Sequence, residues 1–371
     1  KVIFKRQLEK LCYLYAKANT KSKKAKLAYD LIFFEKLYNS FSDEETLFPW
    51  SDDEVILNER IKVADAFVNS ILKEQAIFIK LALVSFNVFV SEEFSLYTDY
   101  GKKYHKISEE MLQKYIFQFF KSLDKELVYR FKYKILNDEL FINNNIGEYS
   151  GLTFPIESID KNIVLFDSKE NMTLNDARVL VHELGHDFEF DNSHKCGVDN
   201  TWNKICKTPY VEVSSSFFEY AFINYLIDNK IYLEDALMLK RKFLNRVFDY
   251  LSCMLIIINV KELKLEYDYC VTLDDVEYAN DILKIMNSDD KEYEVGDKLS
   301  LREVFIYGIG KVLGIYGYEL YKENPKEFLS CFRRSLIEYK DKGIQAFECL
   351  GITEEELVTG NILKKVLRDI K

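Results

Sequence analysis

Two of the chain's four histidines, His182 and His186, stand four residues apart in VLVHELGHDFEF (179–190), and Glu183 directly follows the first. On a helix this spacing puts both imidazoles one turn apart on one face, so a single metal ion about 2 Å from each nitrogen is within their reach. Glu183 projects beside them. A zinc ion so held lowers the pKa of a water in its fourth position toward about 7 and polarises a carbonyl; the neighbouring carboxylate serves as general base, taking the water's proton and passing it to a leaving amine. A helix can also present H-E-x-x-H by chance as a solvated face, so the decision rests on the elements around the motif.

Those elements suit the metal reading. Thr173 reads as an N-cap with Asp176 three residues on, and Ala177, Leu180, Val181, Leu184 and Phe188 form one apolar stripe. Two imidazoles leave a tetrahedral ion one protein ligand short if a position is to stay open for water. Zinc proteases with a third His six residues past the second are excluded, because that position is Asn192 and their required glycine is Glu189. His194 could fold back, but nothing around it positions it. The stretch TPYVEVSSSFFEYAF (208–222) is the better source: Thr208 can cap, Pro209 suits a first helical position, and the helix carries Glu212 and, two turns along, Glu219. Its three consecutive serines are poor helix formers, yet their small volume would let it approach the histidine helix closely. Glu212 is the expected third ligand, and Glu219 or Ser215 is expected to bond the far nitrogen of a ligand histidine and fix its tautomer. Cys196 and Cys206 suit no common zinc spacing and read as buried thiols.

These residues resemble the thimet oligopeptidase and oligoendopeptidase F group of zinc metallopeptidases. TLNDARVLVHELGH (173–186) is similar to that family's lead into its motif, and Glu212, Ser215 and Glu219 to its E-x-x-S helix with a second Glu seven residues past the first. EYSGLTFPI (148–156), around Gly151, is similar to a Gly-containing strand that lines the family's substrate cleft, where an edge strand binds peptide backbone. LGITEEELVTGNILKKVLRDI (350–370) looks like its closing helices, so the resemblance covers roughly 141–371, while the first 140 residues match only in being helical.

What the resemblance implies is a mainly α, zincin-type helical metallopeptidase with a small β-hairpin or sheet lining the cleft. One Zn2+ ion would sit on His182, His186 and Glu212, with Glu183 as base and oligopeptides as substrates, cut at internal bonds in a channel that excludes folded proteins. The family also carries a late segment with a His and several Tyr that touch the substrate carbonyl. Here the similar stretch is LREVFIYGIGKVLGIYGYEL (301–320), which has no His. Tyr307 is its best match as donor to the developing oxyanion, with Tyr316 and Tyr318 as alternatives at the substrate. The missing His and the shorter chain motivate an alternative, a peptide-binding or zinc-stabilised helical scaffold without turnover. A third reading is a glutamate-ligand zinc protease of another group, acting on larger proteins.

The rest of the sequence must position these groups. Four prolines and 13 glycines in 371 residues leave long windows for helices, and 28 Phe and 25 Tyr supply apolar surface for cores. Residues 1–140 read as a helical amino-terminal lobe, with three- and four-residue apolar spacing in 60–86 and 109–132; 141–371 read as the catalytic lobe. Between 141 and 167 the texture turns β-branched and aromatic around an Asp160–Lys161 turn, reading as a hairpin just before the motif helix. Acidic NSDDKEYEVGDK (287–298) reads as a surface loop. A net charge of −10 disfavours nucleic acid or an anionic membrane as partner, and Lys-rich 17–26 reads as a solvated helix face or turn. The apolar runs 76–90 and 254–260 are too short to span a bilayer and read as core helix. Seven cysteines without a C-x-x-C pair fit free thiols in a reducing compartment, the cytoplasm.

Overall fold

Among the described residues the chain is mostly helical, with short strands only between residues 106 and 173. The computed structural model describes residues 2–40, 104–143, 150–167, 172–196, 210–259, 301–358 and 361–368. The expected helix at 60–86, the apolar run 76–90 and the acidic loop 287–298 lie outside them. Helices α1 (Val2–Lys17) and α2 (Lys21–Ser40) open the chain. The periodic run 109–132 falls in two helices, α3 (Glu109–Leu123) and α4 (Lys125–Leu136). One residue makes the break: Asp124 is extended at φ −159° and its carboxylate accepts from the Glu126 N–H, capping α4 at the point where α3 ends.

The expected hairpin is present. Strands β3 (Gly151–Ile156) and β4 (Lys161–Asp167) pair antiparallel from Gly151 opposite Phe166 to Ile156 opposite Lys161. Their connection is a single 3-10 turn (Glu157–Ile159) ending on Asp160 at φ 53°, a left-handed conformation that aspartate tolerates better than most residues. Two further pieces of sheet lie in sequence that reads as helix or loop. β2 (Leu140–Asn143) adds in parallel to β4, giving the order β2-β4-β3, and β1 (Lys106–Ile107) pairs antiparallel with β5 (Met172–Thr173). Strands of two to four residues are too short to declare a period.

The period of two in β3 sorts its side chains. Phe154 and Ile156 join Ile163, Leu165 and Phe141 in a core with Leu31 and Ile32 of α2, and Leu152 packs against it. Gly151 and Thr153 point the other way, onto α5 (Leu174–Lys195), the motif helix. The expected stripe of α5, from Ala177 to Phe188, is buried throughout. Next come α6 (Glu212–Asp228) and α7 (Leu233–Asn259); the proposed cap at Thr208 and Pro209 lies outside the described residues.

By its internal contacts the chain divides into two compact units, one of residues 1–51, 104–206 and 214–237, the other of 52–103, 207–213 and 238–371. The second contains α8 (Leu301–Glu323), α9 (Pro325–Lys342), a 3-10 segment (Gly343–Leu350), α10 (Glu354–Val358) and α11 (Asn361–Arg368). Asn324 caps α9 with Pro325 at its first turn, and Tyr210, Tyr339 and Phe347 form an aromatic cluster with ring centroids 5.2–6.3 Å apart. No described helix is long and apolar enough to cross a membrane.

Candidate metal centre

Helix α5 starts where its sequence says it should. The Thr173 N–H donates to Asp176 Oδ2 at 2.7 Å, closing a capping box about two and a half turns before the motif. His182 and His186 then stand on one face with ring centroids 5.0 Å apart. The His182 Nδ1 lies 3.0 Å from Glu219 Oε2. A carboxylate only accepts, so Nδ1 carries the proton and Nε2 presents its lone pair, as a metal ligand requires. Glu219 is itself paired with Arg178, and both are buried. Of the two residues expected to hold a ligand imidazole, Glu219 makes this contact; Ser215 lies where α6 crosses the motif helix.

That crossing depends on small residues from both sides. Ser214, Ser215 and Ser216 are fully buried, and the Ser214 hydroxyl donates to the Gly185 carbonyl at 2.8 Å. A Cβ on Gly185 would come within 2.7 Å of Ser215 Cα, so the glycine inside the H-E-L-G-H motif is what lets α6 come this near. Glu212, the first residue of α6, meets a similar constraint: a Cβ on Gly310 of α8 would stand 2.4 Å from Glu212 Cβ.

His182, His186 and Glu212 each offer a ligand atom within 4.8 Å of the others. Three atoms all at that limit would each be about 2.8 Å from their common centre, about 0.7 Å beyond a zinc–nitrogen bond, so side-chain movements of under about 1 Å suffice for one ion. Two imidazoles and one carboxylate are also a donor set that zinc takes while keeping a position open. The residues fit the metal. His194 is apart from them, exposed and 3.3 Å from Asp160 Oδ1. Cys196 is exposed rather than buried, because it follows the last turn of α5 where the helix runs out to the surface; Cys206 lies outside the described residues.

Glu183 is 9% exposed and held from the strand side. The Thr153 hydroxyl is 2.8 Å from Glu183 Oε2 and 2.8 Å from the Glu183 carbonyl oxygen. A Cβ on Gly151 would meet Glu183 Cγ at 2.8 Å, so a close approach requires this glycine. Beneath the motif, Asp187 takes part in a buried ion cluster. Arg130 Nε lies 2.9 Å from one oxygen and Lys134 Nζ 2.8 Å from the other, and Lys134 also meets Glu139 at 2.9 Å. Burial pushes the Asp187 carboxyl up, but the two cations outweigh it and hold it below the usual carboxylate value.

Tyr307 lies one turn before Gly310 on α8, half-buried and stacked on Tyr250 at 5.7 Å. Tyr316 is buried with Lys365 over its ring, and burial raises its phenol pKa. Tyr318 is buried and stacks on Tyr321. Sequence reasoning passed over Arg178, Thr153, Gly185, Gly310 and Asp187. Arg178 carries a usable signal, standing four residues before His182 and so on the same face, and Thr153 stands two residues after Gly151. Gly310 carries none.

Helices around small sheets, with two histidines of one helix and the first carboxylate of the next converging, define a mainly α fold of the zincin kind. Comparison with solved structures places it among oligoendopeptidase folds. The chain is similar to a protein assigned as a peptidase of Chlamydophila abortus (TM-score 0.58, 13% identity, 97% of this chain and 62% of that one). It is similar also to a protein assigned as an oligoendopeptidase F of Bacillus anthracis strain Ames (0.55, 15%, 94% and 62%) and to PZ peptidase A bound to an inhibitor (0.55, 15%, 100% and 66%). The chain thus spans just under two thirds of the length of these structures. No protein-family model and no curated protein sequence matches it.

Proposed function

We propose that the chain is a zinc-dependent endopeptidase that hydrolyses internal bonds of short peptides. The observation that carries this reading is the convergence of His182, His186 and Glu212 with Glu183 next to the first ligand. Zinc bound there supplies a Lewis acid that acidifies water and polarises a carbonyl. Glu183 accepts the water's proton and delivers it to the leaving amine. Glu219 keeps the His182 ring turned toward the ion. Tyr307 donates to the oxyanion, and Tyr316 and Tyr318 remain the alternatives for substrate contact. β3 is an edge of its described sheet, which supports its use as the strand that pairs with peptide backbone beside Gly151. Oligopeptides are the proposed substrates and the cytoplasm the proposed compartment.

The test replaces Glu183 with Gln. Zinc content and peptide binding should persist while cleavage of a quenched fluorescent peptide falls by about a hundredfold or more. Wild-type protein fully loaded with zinc that cleaves nothing in a diverse peptide pool would favour the scaffold reading. Offered casein and a decapeptide together, a channel enzyme should leave casein nearly intact; efficient casein cleavage would point to a protease of larger proteins.

A further inference from the structure

The carboxylate of a general base works only if one oxygen faces the water it deprotonates, and a glutamate side chain has three torsions through which to lose that aim. At Glu183 the strand facing the motif helix removes this freedom. Thr153 is 5% exposed and sits in the β3 ladder opposite Val164, so its hydroxyl is placed by main-chain pairing and by the stiff rotamer of a β-branched residue. That hydroxyl lies 2.8 Å from both the carbonyl oxygen and Oε2 of Glu183, two acceptors between which its single proton is shared. Gly151, two residues earlier on the same face, forms the other wall: the space its Cβ would take is filled by Glu183 Cγ at 2.8 Å and Oε1 at 3.1 Å.

We propose that Thr153 is a positioning residue for Glu183, holding Oε2 so that Oε1, lying over the bare Cα of Gly151, is the oxygen that receives the proton; this rests on the peptidase reading above. The hydroxyl keeps one oxygen occupied and the missing Cβ leaves room for the other. Removing either should misdirect the base without touching the metal ligands.

The experiment compares Thr153→Val, Thr153→Ser and Gly151→Ala with wild-type and Glu183→Gln protein, all zinc-loaded. Thr153→Val and Gly151→Ala should lower kcat about tenfold to a hundredfold, the range that misplacing a catalytic group by about an ångström produces. Zinc affinity should stay within about twofold in both variants, and KM should do so in Thr153→Val, since only an interaction of the transition state is lost there. Thr153→Ser, which keeps the hydroxyl, should recover most of the rate, and thermal melts of the variants establish that each is folded. Crystal structures of wild-type and Thr153→Val protein give a readout apart from activity: the carboxylate should rest on Thr153 in the first and rotate away in the second. Wild-type kcat in Thr153→Val, or an unmoved carboxylate in its crystals, overturns the proposal. If wild-type protein cleaves no peptide, the peptidase reading fails, and the crystal comparison still decides whether Thr153 holds the base.

Discussion

Arg178, Glu219 and His182 form a chain of contacts in which each residue fixes the next. The guanidinium holds one carboxylate oxygen and the imidazole Nδ1 holds the other, so neither the glutamate nor the histidine ring is free to turn. Partners behind a ligand histidine typically contribute tenfold to a hundredfold in metal affinity. Glu219→Gln keeps the shape but removes the charge, and it should weaken zinc binding by about that factor in competition with a chromogenic chelator. An unchanged affinity would reduce Glu219 to a packing residue. The same contact was predictable in kind from sequence, since Glu219 lies two turns from Glu212. Its anchor, Arg178, stands four residues before His182 and so on the same helix face.

Among the elements, the decisive feature is how closely helices can pass. Gly185 admits α6 and Gly310 admits Glu212, each leaving no room for a methyl group. Gly310→Ala should push Glu212 off its position, and the expected result is lost zinc affinity with far-UV circular dichroism retained, because alanine favours helix over glycine by about 1 kcal/mol. A variant that binds zinc as wild type would show that Glu212 is not a ligand. Helix α5 is fastened to α4 by Asp187 with Arg130 and Lys134, and breaking a buried pair leaves an uncompensated charge. Asp187→Asn should cost about 3 kcal/mol in urea unfolding at neutral pH. The pH dependence follows from the sign of the shift. The folded carboxyl titrates below its ordinary 3.8, so its contribution is present above about pH 4 and disappears as pH falls through the folded value. Acid should therefore destabilise wild-type protein in that window more steeply than Asp187→Asn. Parallel pH profiles for the two would remove Asp187 from the account.

Over the whole molecule, a metal bound by the folded chain and not by the unfolded one is linked to global stability. Free zinc at about one hundred times its Kd should add about 2.7 kcal/mol, raising the melting temperature, and a chelator should reverse the gain. His182→Ala should abolish the zinc-dependent part alone. A melting temperature indifferent to zinc and chelator in wild-type protein would sink the metal centre at this scale, whatever the peptide assays returned.

Local spacing by itself determined the chemistry on offer: the two histidines, the adjacent glutamate, the capped helix beneath them, the hairpin before it and the serine-rich helix carrying Glu212 and Glu219 are all patterns within a few turns of chain. Helical and strand periods are local properties, so a linear text records them. Short strands such as β2 and the split at Asp124 escaped because two to four residues carry no period and one capping residue interrupts an otherwise continuous one. The approach of Gly310 to Glu212, the grip of Thr153 on Glu183, the burial of Asp187 among cations and the removal of His194 to the surface were decided only by the tertiary structure. Each is a contact, or the lack of one, between segments far apart in sequence, set by how backbones pack against one another, and no neighbouring residue encodes it.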